Sequence, residues 1–381
     1  MLLCCLLPHG LAQESTSIEH ILDSKVFGEQ RRIKVFLPKR YFQDTTQSLI
    51  STYILDAQSD DYWRMVSGNI GYLVKNYSVI PMIAVGIVSD NRYEEFSPDS
   101  DKLQKHLEQE VFPLIEETYR VNSFRIIIGH SWGGAFVGNC LFSKKHDLFD
   151  AYMGISPGLD AEDDIILTNA KRILKKGKPI GKYMYCSSGD IGYREEESLG
   201  AIRQLDSLLT VYPNAHVTWD YEALEGMDHW SCVLPSINNG LIQCSRNYFA
   251  DQQQMEEFAQ HPSLSIREQI AKFNAHKEHT FGFSFEPSLG YLRFVADDFR
   301  EQGNHKAAKE LYLLMMERGS KDVVCYFNLA QTYEKLEEEA LAKESYQQTA
   351  KLLEEQKDSL KASFYQALKE AVEENLKKLG G

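Results

Sequence analysis

What the chain has little of narrows the choices first. Its 381 residues hold only seven cysteines, none spaced C-x-x-C, and five of them (Cys140, Cys186, Cys232, Cys244 and Cys325) lie scattered beyond the N-terminal segment. An odd, scattered set is neither a disulfide framework nor a thiolate metal site, and reads as small apolar packing residues. Positive charge is also scarce, with 41 Lys and Arg against 55 Asp and Glu and a formal net charge of −14. That balance argues against nucleic acid and anionic membrane surfaces, which favour basic patches. His261, His276 and His279 have no acidic or thiol partner at ligand spacing, so no metal is expected.

A long apolar run is missing too. The most apolar stretch, 1–12, is too short to span a bilayer and has no basic residue ahead of it. Residues 1–16 are expected to be an incomplete export signal, which makes the protein periplasmic or secreted. If the segment is instead an ordinary N-terminus, the protein is cytoplasmic.

What is present is ordinary for a globular protein: 43% hydrophobic and 25% charged residues. Apolar strand-like runs (31–38, 49–55, 82–88, 126–128, 151–155, 182–187 and 216–222) alternate with helix-like stretches at 61–75, 101–119, 135–142, 161–174 and 195–211. Such alternation predicts an α/β fold with a mostly parallel sheet and helices on both faces. Its ligand site belongs beyond the carboxyl ends of the strands.

One of those ends is Gly129-His130-Ser131-Trp132-Gly133. It is a G-x-S-x-G pattern between an Ile-rich strand and a small-residue helix, the setting in which a serine is lifted above the sheet as a nucleophile. The glycines suit a crowded, strained turn. The alternative role for Ser131 is a helix N-cap. A nucleophile needs a base, and His229, a few residues after the last strand, is placed to serve. For the acid that orients it, Asp190 after the strand 182–187 is preferred. Glu195, Glu196 and Glu197 are alternatives that look like an acid-rich first turn of the next helix, and Asp228 ranks below them. The N–H groups of Trp132 and Ala57 are expected to form the oxyanion hole. Asp56, Asn91, Arg92 and His130 are expected to line the substrate cleft.

Beyond about residue 285 the pattern becomes wholly helical. An offset of 34 pairs Leu292 with Tyr326, Val295 with Leu329, Ala296 with Ala330, Phe299 with Tyr333, Ala308 with Ala342 and Tyr312 with Tyr346. This is the tetratricopeptide period, and residues 358–379 would form a capping helix. Gly303 is not mirrored in the second repeat, and no proline closes either one. The expected organisation is a signal segment at 1–16, a hydrolase domain at 17–250, a linker at 251–285 and a helical repeat domain at 286–381. The repeats either bind a protein partner or serve as a structural appendage.

The stretches 32–41, 53–56, 85–92, 129–134, 156–157 and 229–241 together resemble the esterase D-like and ferric-siderophore esterase family of the α/β-hydrolases. The resemblance covers residues 17–241. It implies a Ser131, His229 and carboxylate machinery without cofactor, cleaving carboxylic esters of small or medium size. After Ser156-Pro157 this chain has Gly158-Leu159-Asp160 where siderophore esterases often carry bulky aromatics. Rival readings are a siderophore or carbohydrate-ester esterase, an acyltransferase, and a non-catalytic scaffold built on the same fold.

Overall fold

The structure, a computed structural model, describes residues 15–380 except 44, 46, 77, 144–146, 178–179, 214–216, 259–264, 282–286 and 288. Of the segment expected as an export signal, residues 1–14 lie outside the described residues. The chain divides into two compact units, the first ending at Tyr248 and the second beginning at Phe249.

The first unit is built on one eight-stranded sheet: β1 (Thr16–Ser24), β2 (Glu29–Leu37), β3 (Leu49–Ile54), β4 (Met82–Ile87), β5 (Val121–His130), β6 (Ala151–Ile155), β7 (Lys182–Gly189) and β8 (Val217–Leu224). Their spatial order is β1-β2-β4-β3-β5-β6-β7-β8. β1 pairs antiparallel with β2, and β2 antiparallel with β4. Every pairing from β4 through β3 to β8 is parallel. β3, β4 and β6 are buried at every position, as strands covered on both faces must be. β1 differs: most of it is exposed, and it was not foreseen because an edge strand with one wet face carries little apolar signal.

Helices cover the sheet: α1 (Lys39–Gln43), α2 (Asp60–Lys75), α3 (Arg92–Glu95), α4 (Lys102–His106), α5 (Phe112–Thr118), α6 (Trp132–Leu141), α7 (Ala161–Leu174), α8 (Tyr193–Val211) and, as far as Tyr248, α9 (Val233–Phe258). The stretch expected as one helix over 101–119 is interrupted by a π-helical turn at Leu107–Val111. α6 is buried on all sides, which its nearly unbroken apolar and small residues allow. The core includes the mutually packed rings of Tyr53, Phe112 and Phe149, and full burial of side chains of that size is worth roughly 1.5–3 kcal/mol each.

The topology fixes where a site belongs. From β3 the chain steps outward to β4, returns past β3 to β5, and then proceeds the other way through β6, β7 and β8. The reversal falls between β3 and β5, and in open α/β sheets the crevice beyond such a switch point is where ligands bind.

The second unit is helical: α10 (Ile266–Phe281), α11 (Leu289–Glu301), α12 (His305–Glu317), α13 (Val323–Lys335), α14 (Glu339–Glu355) and α15 (Ala362–Lys378). The stretch expected as a linker, 251–285, holds the end of α9 and α10. Ile266 and Ile270 of α10, one helical turn apart, pack into the core of this unit. Ile266, Ile270 and Phe273 recur at i, i+4 and i+7, a helical signal that the reading of this stretch as a linker did not weigh. Positions 34 apart share their surroundings: Val295 and Leu329, Ala296 and Ala330, and Tyr312 and Tyr346 are all buried. The turn between paired helices recurs as well. Gly303 N–H donates to Arg300 O and Asn304 N–H to Phe299 O; 34 residues on, Glu337 N–H donates to Glu334 O and Glu338 N–H to Tyr333 O. Gly303 has φ +83° and Glu337 has φ +60°, so the left-handed position that the sequence did not mirror is mirrored in the backbone.

Candidate active site

Ser131 stands where β5 turns into α6, with φ +57° and ψ −116°, a strained conformation for a non-glycine residue. Its side chain makes no capping bond to α6, so the N-cap role is not what holds it there. The turn is pinned by Ser131 N–H donating to Ile155 O at 2.8 Å. Gly129 is needed because a Cβ there would meet Gly133 O at 2.2 Å, and Gly134 because one would meet Pro157 at 2.8 Å. At Gly133 the contact is milder, 3.2 Å to Asp56 Oδ2. Trp132, the first residue of α6, offers an N–H with no intrahelical acceptor, as the start of a helix must.

His229 lies in the loop after β8. Its ring centre is 4.5 Å from that of His130, the residue before Ser131. His229 Nδ1 is 2.6 Å from Glu195 Oε1. No hydrogen bond joins His229 to Ser131 Oγ among the described residues; such bonds are often long in unliganded hydrolases and close when substrate arrives. Glu195 is fully buried, and its other oxygen accepts from Ser156 Oγ at 2.7 Å, Ser188 Oγ at 2.8 Å and Gly189 N–H at 2.5 Å. Burial by itself would raise this carboxyl, but the hydrogen bonds from His229, Ser156, Ser188 and Gly189 outweigh it and hold the pKa down at about 2. The carboxylate therefore stays ionised beside the imidazole at any ordinary pH.

Asp190, expected on His229, is not there. It sits on the exposed side of the turn after β7, where its Oδ1 accepts the Gly226 N–H at 2.8 Å. β7 ends at Gly189, whose Cα runs against Met227 O so closely that a Cβ would lie 2.1 Å from it, and the Asp190 N–H donates to the same oxygen at 3.0 Å. Sequence reasoning had one signal for Glu195 that it did not weigh. Glu195 shares a helical face with Leu199, Ile202 and Leu205, all buried, and a lone acid on an apolar stripe needs a partner.

The Ala57 N–H is likewise committed, to Ile87 O at 3.0 Å. The next N–H, that of Gln58, donates to no described acceptor, and the Gln58 side chain is held at both ends, its amide by Asp56 Oδ1 and its Oε1 by Ser89 N–H. Asp56 and Arg92 do converge on the site, but on each other: Arg92 Nε and Nη2 reach Asp56 Oδ1 and Oδ2 at 2.7 and 3.0 Å. His130 is buried, and its Nε2 meets His229 O at 2.8 Å, so it braces the loop rather than facing a cleft. Burial, and then the charge of His229, lower its pKa to about 4, which leaves Nε2 a neutral donor. Asn91 is exposed, with its side-chain amide on Glu94 at 2.8 Å, a turn contact. Tyr93 and Trp230 are exposed, the first against the Trp132 ring and the second against the His130 ring. Trp132 Nε1 donates to Tyr93 O at 3.0 Å.

This sheet order, turn and buried carboxylate define an α/β-hydrolase. The family model described as "Putative esterase" matches residues 24–229, and the chain belongs to that family. By family it is a hydrolase of ester bonds. No curated protein matches the chain in sequence. Solved structures of similar fold include an IroE-like serine hydrolase from Shewanella oneidensis, with 19% identity, a TM-score of 0.64, and coverage of 79% of this chain and 99% of that one. An uncharacterised protein from Capnocytophaga ochracea has 17% identity and a TM-score of 0.63, covering 88% of this chain and 94% of its own. The siderophore hydrolase EstB from Aspergillus nidulans has 18% identity and a TM-score of 0.53, covering 64% and 98%. At such identities the likeness concerns the fold. No helix among the described residues is long and apolar enough to cross a membrane.

Proposed function

We propose that the protein is a serine esterase that works through an acyl-enzyme, with Ser131 as nucleophile, His229 as general base and Glu195 as the acid that orients it. The observation that carries this reading is the 2.6 Å contact between His229 Nδ1 and a buried, ionised Glu195, beside a serine held in a strained turn. Glu195 accepts a hydrogen bond from Nδ1–H and fixes the tautomer, which leaves Nε2 basic toward Ser131 Oγ. The Oγ–H proton passes to Nε2 as Oγ adds to the ester carbonyl. The oxyanion is received by the N–H groups of Trp132 and Gln58; loss of one such donor typically costs ~10²–10³ in turnover. His229 then returns the proton to the departing alcohol, and water repeats the sequence to release the acid.

The substrate is a carboxylic ester of small or medium size. For the second unit, the recurrence at 34 residues supports a tetratricopeptide-type helical pair array, offered as a docking surface for a protein partner. Residues 1–16 are proposed to direct export.

The test is labelling with a fluorophosphonate, which reacts with activated serines, followed by mass mapping of the adduct. One adduct is expected, on Ser131, lost in Ser131→Ala and His229→Ala. A folded protein that takes no label would sink the proposal.

A further inference from the structure

The first unit buries a second ion pair that ester cleavage does not use. Arg31, on β2, is 2% exposed and Glu95, at the end of α3, is 5% exposed. Arg31 Nη1 donates to Glu95 Oε1 at 3.0 Å and Nη2 to Glu95 Oε2 at 2.6 Å, a two-pronged contact. Nη2 also donates to Val88 O at 2.9 Å, and Nη1 to Glu29 at 3.0 Å. The guanidinium lies over the Phe27 ring at 4.2 Å. Glu95 Oε1 in turn accepts the Asn91 N–H at 3.2 Å. One arginine thus ties down the loop 88–95 at its start, through Val88 O, and at its end, through Glu95.

That loop carries two further contacts toward the elbow. Arg92 grips Asp56 with two N–H groups, and its Nη2 lies 3.5 Å from His130 O. Tyr93 O receives Trp132 Nε1. Asp56, with φ +63°, is the bend that follows β3, and Gln58 is tied both to its carboxylate and to Ser89 of the same loop. The backbone that presents the Gln58 N–H is therefore held by groups whose own anchor is Arg31 and Glu95. A buried charge pair is a costly way to fix a loop, since an apolar pair of similar volume is often as stable, and its fixed geometry is what the arrangement gains.

We propose that Arg31 and Glu95 are positioning residues for the oxyanion hole, acting through Arg92 and Asp56 on the Gln58 N–H; this rests on the esterase reading of the site. They touch neither substrate nor reacting atoms. Their effect is on the transition state, where the oxyanion is bound, and hardly on the ground-state complex.

The experiment compares full-length wild type with Glu95→Gln, which keeps shape and removes the charge. Hydrogen exchange read by mass spectrometry should speed up about tenfold or more in peptides spanning 54–60 as well as 88–96, with β6 and β7 unchanged. Faster exchange confined to 88–96 would overturn the proposal, because Glu95 would then support only its own helix. This arm needs no substrate, so it stands even if the protein cleaves no ester, a result that would remove the esterase reading separately. On a nitrophenyl ester, kcat should fall about tenfold or more with KM within about twofold, and Glu95→Gln should add less than about twofold on top of Arg92→Ala. The same loss in both backgrounds would also overturn it. Should Glu95→Gln fail to fold, Arg31→Lys, which keeps the charge but loses the fork, carries the same comparison.

Discussion

The two units put non-glycine residues at positive φ in different places. In the first, Asp56, Ser131 and Ser156 hold φ of +63°, +57° and +41° just past the carboxyl ends of β3, β5 and β6, and the exposed Glu162, Asp163 and Asp164 hold +51°, +56° and +59° in the first turn of α7. In the second, among the described residues, Glu337 alone does so, in a helix-connecting turn. The backbone cost is of the same kind, but at the three strand ends of the first unit the side chain has work that glycine could not do. Asp56 holds Arg92, Ser131 carries the candidate nucleophile, and Ser156 donates to Glu195. Strain that persists with a needed side chain marks function; strain that persists without one marks tolerance.

The sharpest way to break that comparison is at the acid. Glu195 and Asp190 are two carboxylates close in sequence, one buried on His229 and one exposed on Gly226 N–H. Glu195→Gln removes the charge that stabilises the imidazolium and can present the wrong hydrogen-bonding group to Nδ1. Turnover should fall by ~10²–10⁴ with the fold retained. Asp190→Asn should stay within about threefold, since it keeps an acceptor for a surface turn. Steady-state kinetics on one ester checks both, and equal losses would return the acid to Asp190.

Acid should reveal what it costs to bury these groups. Folded His130 binds its proton only near about 4, whereas in the unfolded chain an imidazole does so near 6.5. Between those values the unfolded state takes up a proton that the folded state refuses. The contribution is therefore complete above about pH 6.5 and is lost as pH falls toward 4, at most about 3 kcal/mol. Glu195 follows: its carboxyl, lowered from 4.5 to about 2, contributes fully above about 4.5 and loses that contribution as pH falls toward 2. Denaturant midpoints measured from pH 7.5 to 4 should slope downward in wild type. In His130→Gln, which keeps an N–H for His229 O, the slope should flatten between 6.5 and 4. An unchanged slope would mean that another group sets it.

How far the sequence reached follows the same division. Strands buried on both faces, the crowded glycines of the elbow and the histidine after the last strand were legible because burial and tight turns leave their mark on composition. Glu195 was ranked below Asp190 because an acid near a helix start has an innocent explanation, and only its phase with Leu199 and Ile202 told against it. Ala57 was named as a donor because the bend at Asp56, which commits its N–H to Ile87 O, is a backbone event with no side-chain signature. β1 was lost because an exposed edge strand need not look apolar.

The smallest effect tests tolerance in the second unit. Gly303 and Glu337 close their turns with the same pair of backbone hydrogen bonds and both at positive φ, yet only one is the residue that conformation favours. Glu337 is exposed, so its side chain is dispensable to packing. In the left-handed region a Cβ crowds the carbonyl oxygen, at roughly 1–2 kcal/mol, while glycine loses somewhat more backbone freedom on folding. The first should win. Glu337→Gly is expected to raise the stability of the helical unit by about 1 kcal/mol, read as a higher denaturant midpoint with an unchanged slope. The matching change at Ser131 removes the candidate nucleophile, so Ser131→Gly should abolish labelling however well it suits the turn. A glycine that stabilised neither site, or a Ser131→Gly protein that still took the label, would mean that positive φ does not separate the two regions in the way their side chains indicate.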